Sequence, residues 1–446
     1  MPSTDTLARI LALGVLGLAT PARAGDAPPP GGPGAQLSAL AKSAERELRG
    51  NILPFWLAHA RDREHGGFHS SIGEDMKVRD DLPRGALLTS RILWTFSAAY
   101  RIYHDPEYLE MARWAHRDLV DRFMDRQYGG LFWTVRPDGR PDDAHKQIYG
   151  QVFGIYGLSE YYRATGDAEA LAQAVAIYRL IERNAHDAQH GGYFDALSRE
   201  WRREGGPAGN LLGDAPKSQN SHIHILEGFT NLLRVWPDEG LRRRQRELIE
   251  LTLTHIIDPR THHLILFMKD DWTPIGDNVS YGHDIELSWL LVEAAEVLGD
   301  PALLAQARRE AVAIARVTNA EGVDTDGGVY SEGDPKGPTK MIKEWWEQAE
   351  GAIGFLDAYQ ISRDPGYLAD ALRSWDFIQA RMVDREHGDW YEVVRRDGTP
   401  VREFTWHGNA IAGDKLSIWK CPYHNGRSCM ELIERAHELL GAAAVR

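Results

Sequence analysis

Two histidine–glutamate pairs with the same spacing stand out as residues able to do chemistry: His283 with Glu286 in SYGHDIELSW (280–289), and His224 with Glu227 in NSHIHILEGF (220–229). Residues three apart share one face of a helix, so each carboxylate can orient and tune its imidazole. Histidine changes charge near neutral pH and can serve as general base in one step and general acid in the next. One such pair would equally suit a capped helix with a buried, satisfied histidine. Two pairs make their place in the fold the question. Other reactive groups are Arg91, Tyr149, the run EWWEQAE (344–350) and His424.

Histidine and glutamate also bind metals. The order His-x-x-Glu, however, reverses the Glu-x-x-His of di-iron bundles, and neither H-E-x-x-H nor a cysteine–histidine cluster occurs, so no metal is expected. No glycine-rich dinucleotide fingerprint follows a strand pattern and no P-loop is present, so no redox or nucleotide cofactor is expected either. Glu286, Glu347 and Glu350 keep glycoside hydrolysis, which needs two carboxylates flanking a bond, as a second reaction class.

These groups need a scaffold, and the chain carries a repeat that could supply one. Short Gly-aromatic segments recur at Asp62–Phe68, Asp125–Leu131, Asp187–Tyr193 and Asp384–Trp390, with weaker copies at Asp258–Leu264 and Asp324–Tyr330. Such a period is the signature of a repeat architecture. Each interval holds two helical patterns, such as 147–164 and 168–184, joined by Thr-Gly-Asp at 165–167, a helix stop followed by an N-cap. About twelve helices result. Six helix pairs can close into an (α/α)6 barrel or coil into an open superhelix. The reactive residues fall in the early turns of alternate helices, so if those helices form the inner ring, the groups converge at one end of a central cavity. Their N-termini point there too and favour negative charge. This arrangement favours the closed barrel.

The chain has 446 residues, a net charge of −14 and no basic run, which argues against a nucleic-acid or anionic-membrane partner. Its 14 Trp and 16 Tyr supply flat faces that pack cores and can stack on sugars. Residues 1–24 read as a signal peptide, with an apolar run over 10–19 and Ala22-Arg-Ala24 before the cut. Periplasmic or secreted localisation is therefore expected. Residues 25–36 read as a Pro/Gly-rich linker and 37–446 as a single catalytic domain, with no membrane span. Cys421 and Cys429 leave a short disulfide or two buried thiols open.

The stretches RILWTFSAAY (91–100), KQIYGQVFGIYGLSEYYRATGD (146–167), KSQNSHIHILEGFTNLLRVWPD (217–238), SYGHDIELSWLLVEAAEVLGD (280–300), EWWEQAEGAIGFLDAYQ (344–360) and WKCPYHNGRSCMELIER (419–435) resemble the cellobiose 2-epimerase family, within the N-acylglucosamine 2-epimerase superfamily. The resemblance runs from about residue 37 onward. It implies an (α/α)6 barrel, a monomer, that interconverts glucose and mannose at the reducing end of β-1,4-linked disaccharides such as cellobiose or mannobiose, without cofactor. The family's acid–base pair falls on His283 and His424, its third histidine on His224 rather than His222, and its arginine on Arg91. Its aromatic walls fall on Trp346 and Trp419, and further polar contacts on Tyr149, Asn220, Glu286, Glu350 and Arg427. N-acylglucosamine 2-epimerases and aldose–ketose isomerases are the close alternatives, an (α/α)6 glycoside hydrolase the distant one. Two departures stand out: a family aspartate before Lys217 has Asp214 as its nearest match, and residues 405–414 form a longer segment that could reshape the pocket rim.

The chemistry fits these positions. A sugar C2 proton is acidic only once the ring has opened to an aldehyde. Its removal leaves an enediolate, whose oxyanion needs preorganised donors such as Arg91 and neutral His224. Exchange on both faces of C2 needs a base on each side, and Glu286 is expected to tune His283.

Overall fold

The computed structural model describes residues 31–203, 215–406 and 409–444. The expected signal peptide and Asp214 lie outside the described residues. Helix α1 (Pro33–Glu47) starts inside the stretch read as linker, because proline in a first turn lacks only an N–H that would have no helical partner. It runs through a π turn into α2 (Leu53–His59). Helices then alternate in pairs: α3 (Ala86–Tyr103) with α4 (Pro106–Asp118), α5 (Ile148–Thr165) with α6 (Ala168–Asn184), α7 (Gln219–Val235) with α8 (Glu239–Leu251), α9 (Tyr281–Leu298) with α10 (Pro301–Glu321), and α11 (Trp345–Ser362) with α12 (Pro365–Phe377). The last helix, α13 (Tyr423–Ala444), pairs with α1.

Helices α3, α5, α7, α9, α11 and α13 touch in that order, and α13 closes back on α3. The result is a closed (α/α)6 barrel rather than an open superhelix. Burial divides the two rings. Every residue of α5 from Ile148 to Tyr161 is buried, as an inner helix requires, whereas α8 buries only Leu241, Gln245, Leu248 and Ile249 and turns its Arg/Glu run outward. Inner helices stop and outer helices start abruptly. At the first such junction read from sequence, Gly166 takes φ 74° and the Asp167 side chain accepts from the N–H of Glu169 and Ala170. Asp105, Asp238, Asp300 and Asp364 cap α4, α8, α10 and α12 in the same way.

The Gly-aromatic segments carry the chain from an outer helix back to the next inner one. In each strong copy the aspartate accepts two N–H groups of its own turn, as Asp62 does from Glu64 and His65 at 2.9 Å. The paired glycines adopt φ of 75° at Gly66 and 72° at Gly67, a region closed to most side chains. In the last copy Asp389 takes the second glycine's place at φ 55°, and its carboxylate accepts from Trp56, Lys420 and Asn425. A buried cation just before an inner helix meets the turn aspartate: Arg84 with Asp62, Lys146 with Asp125, Lys217 with Asp187, and Lys343 with Asp324. Each inner helix therefore enters the barrel at a fixed height.

Residues 405–414 lie largely in a two-stranded hairpin, Glu403–Trp406 against Asn409–Ala412. Cys421 and Cys429 are free and buried, so the thiol alternative is the one realised. Among the described residues no helix is long and apolar enough to cross a membrane.

Candidate active site

The entry position, a cation in five of the six repeats and Val279 in the other, sets a common count along the inner helices. Seven residues after Arg84, Lys146, Lys217, Val279, Lys343 and Lys420 stand Arg91, Phe153, His224, Glu286, Glu350 and Arg427; four residues after them stand Leu88, Gly150, Ser221, His283, Glu347 and His424. These two positions share a helical face, so six helices in the same register bring them to the barrel axis. The site is the asymmetric content of a symmetric frame.

Arg427 is the hub of its floor. The guanidinium donates to Glu286 at 2.9 Å and to Glu350 at 2.7 Å, and also bonds Glu227 and the Tyr423 hydroxyl. It stacks over the rings of Tyr423 and Trp289, 4.3 and 4.7 Å from their centroids. Arg91 donates to the Tyr149 hydroxyl at 2.7 Å and stacks on Phe153 and Tyr423. Tyr423 thus lies between the two arginines. It was not singled out from sequence, although it precedes His424 by one residue and occupies the register position of Tyr149, Asn220 and Trp346.

Three imidazoles are held alike through Nδ1. His224 meets Glu227 at 2.9 Å, His283 meets the Ser280 hydroxyl at 2.7 Å, and His424 meets Glu350 at 2.7 Å. In each, Nε2 makes no hydrogen bond to a described residue. His222 differs: its Nδ1 bonds the Ser218 carbonyl and its Nε2 accepts the Tyr193 N–H, so both edges are spent on backbone. This separates the two histidines of His-Ile-His by the partners they keep.

The His283–Glu286 pair does not form, which corrects the expectation drawn from its spacing. Glu286 reaches instead to Arg427, and His283 turns back to Ser280 at the helix start. Glu350 and Arg427, expected as sugar contacts, are likewise engaged by protein groups: Glu350 accepts from His424, Arg427 and the Trp289 indole. Glu286 keeps one buried oxygen, Oε2, without a hydrogen-bond partner among the described residues, 4.0 Å from His224 Nε2. Asn220 Oδ1 is similarly unpartnered.

The aromatic residues stand apart from one another. Trp346 lies against both imidazoles, its ring 4.6 Å from that of His283 and 5.8 Å from that of His424. Trp419, half-buried, stands near Trp133 and Tyr149 at 6.0 and 6.2 Å. Trp133, from the second Gly-aromatic turn, was missed because its neighbours are distant in sequence.

Burial controls the charges. It pulls His224 down to about 4, with Glu227 opposing, and His283 down to about 3; His424 falls well below the ordinary histidine value, with Arg91 and Arg427 adding to burial. All three are neutral at neutral pH. Burial and the neighbouring Glu350 push Glu286 well up, while Arg427 overcomes burial to hold Glu227 at about 2. Burial likewise raises Glu350, against Arg427 and Trp289, so among the three carboxylates around Arg427 only Glu227 is pushed down.

A cation could be sought at Glu286, Glu350 and His424, whose ligand atoms lie within 4.8 Å of one another, or at Asp62, His69 and Asp80. Arg427 donates into the first set and Arg84 into Asp62 of the second, so fixed positive charge already occupies both.

The comparisons with known proteins return the same closed (α/α)6 fold. The N-acylglucosamine 2-epimerase family model matches residues 66–411, and the chain belongs to that family. A cellobiose 2-epimerase from Bacteroides fragilis is 42% identical over 399 residues, covering 88% of this chain and 98% of its own. The solved structure of cellobiose 2-epimerase from Bacillus thermoamylovorans is similar with a TM-score of 0.81 and 37% identity, covering 89% of this chain and 100% of that one. A family 76 α-mannanase from Bacteroides thetaiotaomicron shares the fold alone, with a TM-score of 0.61 at 12% identity over 92% of this chain and 99% of that one.

Proposed function

We propose that the protein is a disaccharide 2-epimerase, which interconverts glucose and mannose at the reducing end of β-1,4-linked substrates such as cellobiose or mannobiose. The observation that carries this reading is the common tethering of His224, His283 and His424 by Nδ1, with Nε2 free of hydrogen bonds to described residues. His283 and His424 come from α9 and α13, with α11 between them, and flank Trp346. In the reaction, one imidazole removes the C2 proton of the open-chain sugar and the other returns a proton on the opposite face. Arg91 donates to the enediolate oxygens, and the N-terminal ends of the inner helices add to the positive potential; His224, whose Nδ1–H goes to the ionised Glu227, offers Nε2 as an acceptor for a sugar hydroxyl. Trp346 and Trp419 offer apolar faces for two sugar rings. Relatives named as cellobiose 2-epimerases, at up to 42% identity, support the substrate class.

The charge state suits proton exchange. A base must be neutral before it acts, and burial keeps the imidazoles so well into the acid range. The imidazole on the opposite face first takes a proton from water to become imidazolium, then returns it to C2, and the base that gained the C2 proton releases it to water. Turnover of cellobiose in deuterated water, followed by NMR, is expected to give C2-deuterated epimer of intact length. Free monosaccharide would point to hydrolysis, product without deuterium at C2 would exclude the two-histidine route, and preference for N-acetylglucosamine or free mannose would move the substrate assignment.

A further inference from the structure

The residue directly after each entry position is Gly85, Gln147, Ser218, Ser280, Glu344 or Cys421. Glu344 is the N-cap of α11 and shares a capping box with Glu347, a role that serine fills at Ser218 without a carboxylate; it is buried, and its Oε2 also accepts the Trp346 indole N–H at 3.0 Å. Its other oxygen accepts from the Ser331 hydroxyl at 3.2 Å and the Lys340 ammonium at 3.3 Å, and its backbone N–H donates to Glu347 at 3.0 Å. On its far side the Trp346 ring packs where Gly282 has no side chain, since a Cβ there would stand 2.6 Å from the ring. The ring is thus pinned at its N–H and along its edge.

Lys340 ends the hairpin Glu332–Asp334/Gly337–Lys340, and the same sheet includes Val279–Ser280. In its register Glu332 faces Lys340 on one side and Ser280 on the other. One small sheet therefore carries both Ser280, which holds His283 Nδ1, and Lys340, which holds Glu344.

We propose that Glu344 is a positioning residue that fixes Trp346 between His283 and His424, and that the Lys340 hairpin acts on the site through it. The inference rests on the epimerase reading for its kinetic consequence, but not for its geometry. With the ring pinned, sugar and imidazoles keep their separation and water is kept from His283. With it released, the reacting atoms lose alignment, a fault that costs roughly 10- to 100-fold in rate.

The test compares Glu344→Ala, Glu344→Gln and Lys340→Met with the unaltered protein. Glu344→Ala is expected to lower kcat on cellobiose roughly 10- to 100-fold; glutamine, which keeps an acceptor for the indole, restores part of it, and Lys340→Met has a smaller effect in the same direction. A second readout needs no substrate. The His283 imidazole, titrated by NMR in the free protein and assigned with a His283→Gln control, is expected to move up toward the ordinary histidine value in Glu344→Ala, because a released ring admits water. Unchanged kcat and an unchanged His283 midpoint in folded Glu344→Ala would overturn the proposal, as would a fall in kcat with no shift in His283. If the alanine variant fails to fold, Lys340→Met with normal kcat and normal titration overturns it. Absence of epimerase activity in the unaltered protein would remove the proposed function, while the titration would still decide the positioning role.

Discussion

His283 and His424 both keep Nε2 free of hydrogen bonds to described residues, yet their supports differ in kind. Glu350 meets His424 Nδ1 and accepts from Arg427 and Trp289; burial pushes its carboxyl up while these donors oppose that, and as an acceptor it places the His424 proton on Nδ1 and leaves Nε2 bare. Ser280 gives His283 a hydroxyl, which can donate or accept, so His283 is free to take either tautomer. The difference suits an unequal division of labour: His424, with its Nδ1 fixed on a carboxylate, is held in the tautomer that can receive a proton at Nε2, whereas His283 can hand one over or take one up in either tautomer. An epimerase running in both directions needs at least one such indifferent partner.

The largest expected effect tests whether both histidines are needed. His283→Ala and His424→Ala should each lower kcat roughly 10²- to 10⁴-fold, the usual worth of a placed general base, while circular dichroism stays unchanged. Retention of near-normal turnover by either variant would end the two-base scheme. The next effect tests the difference between the supports. Glu350→Gln can present an amide N–H to His424 Nδ1 and enforce the wrong tautomer, a fault that approaches the loss of the base itself, roughly 10²- to 10⁴-fold. Ser280→Ala removes one neutral hydrogen bond and should cost roughly 10-fold or less. Equal losses in steady-state kcat would mean that the supports are equivalent and the proposed asymmetry is wrong.

Much of this was legible in the sequence. The Gly-aromatic turns, the Asp caps and the alternate-helix placement of Arg91, Tyr149, His224, His283 and His424 all follow from local pattern, because a turn or a cap is written within a few residues. The partners of those side chains were not legible. Glu286 was assigned to His283 because the two share a helix face, but Arg427 arrives from 141 residues away and takes it. Glu227 meets Tyr423 across 196 residues, contacts that exist only once the ring has closed. The role of Ser280 was hidden for another reason: a serine before a helix reads as an ordinary cap, and here its hydroxyl goes to an imidazole. The shared register of the inner helices was available all along, and it would have pointed to Tyr423 and away from His222.

That register yields the smallest and most specific prediction. Five residues after the entry cation, α5 and α11 carry Gln151 and Gln348, each of which accepts a turn N–H at 2.7 Å and donates to the same residue's carbonyl at 2.8 Å. His222 holds the same place in α7 and accepts the Tyr193 N–H at 3.0 Å. Glutamine is therefore the repeat's own solution, and His222→Gln should leave kcat unchanged, in contrast to loss of His224 two residues on. It should also change the response to acid. Burial pulls His222 down to about 4 against an unfolded value near 6.5, so the unfolded chain binds the proton more readily between those limits. Stability contributed by the neutral imidazole is complete above about pH 6.5 and is lost as pH falls toward 4, a loss on the order of 3 kcal/mol at full extent. Glutamine does not titrate, so the variant should lose less. Urea midpoints at pH 7 and pH 4.5 measure the difference; His224, His283 and His424, also pulled down by burial, leave a residual slope in both proteins. An acid loss as steep in His222→Gln as in the unaltered protein, or a clear fall in kcat, would show that His222 does more than replace the glutamine of its repeat.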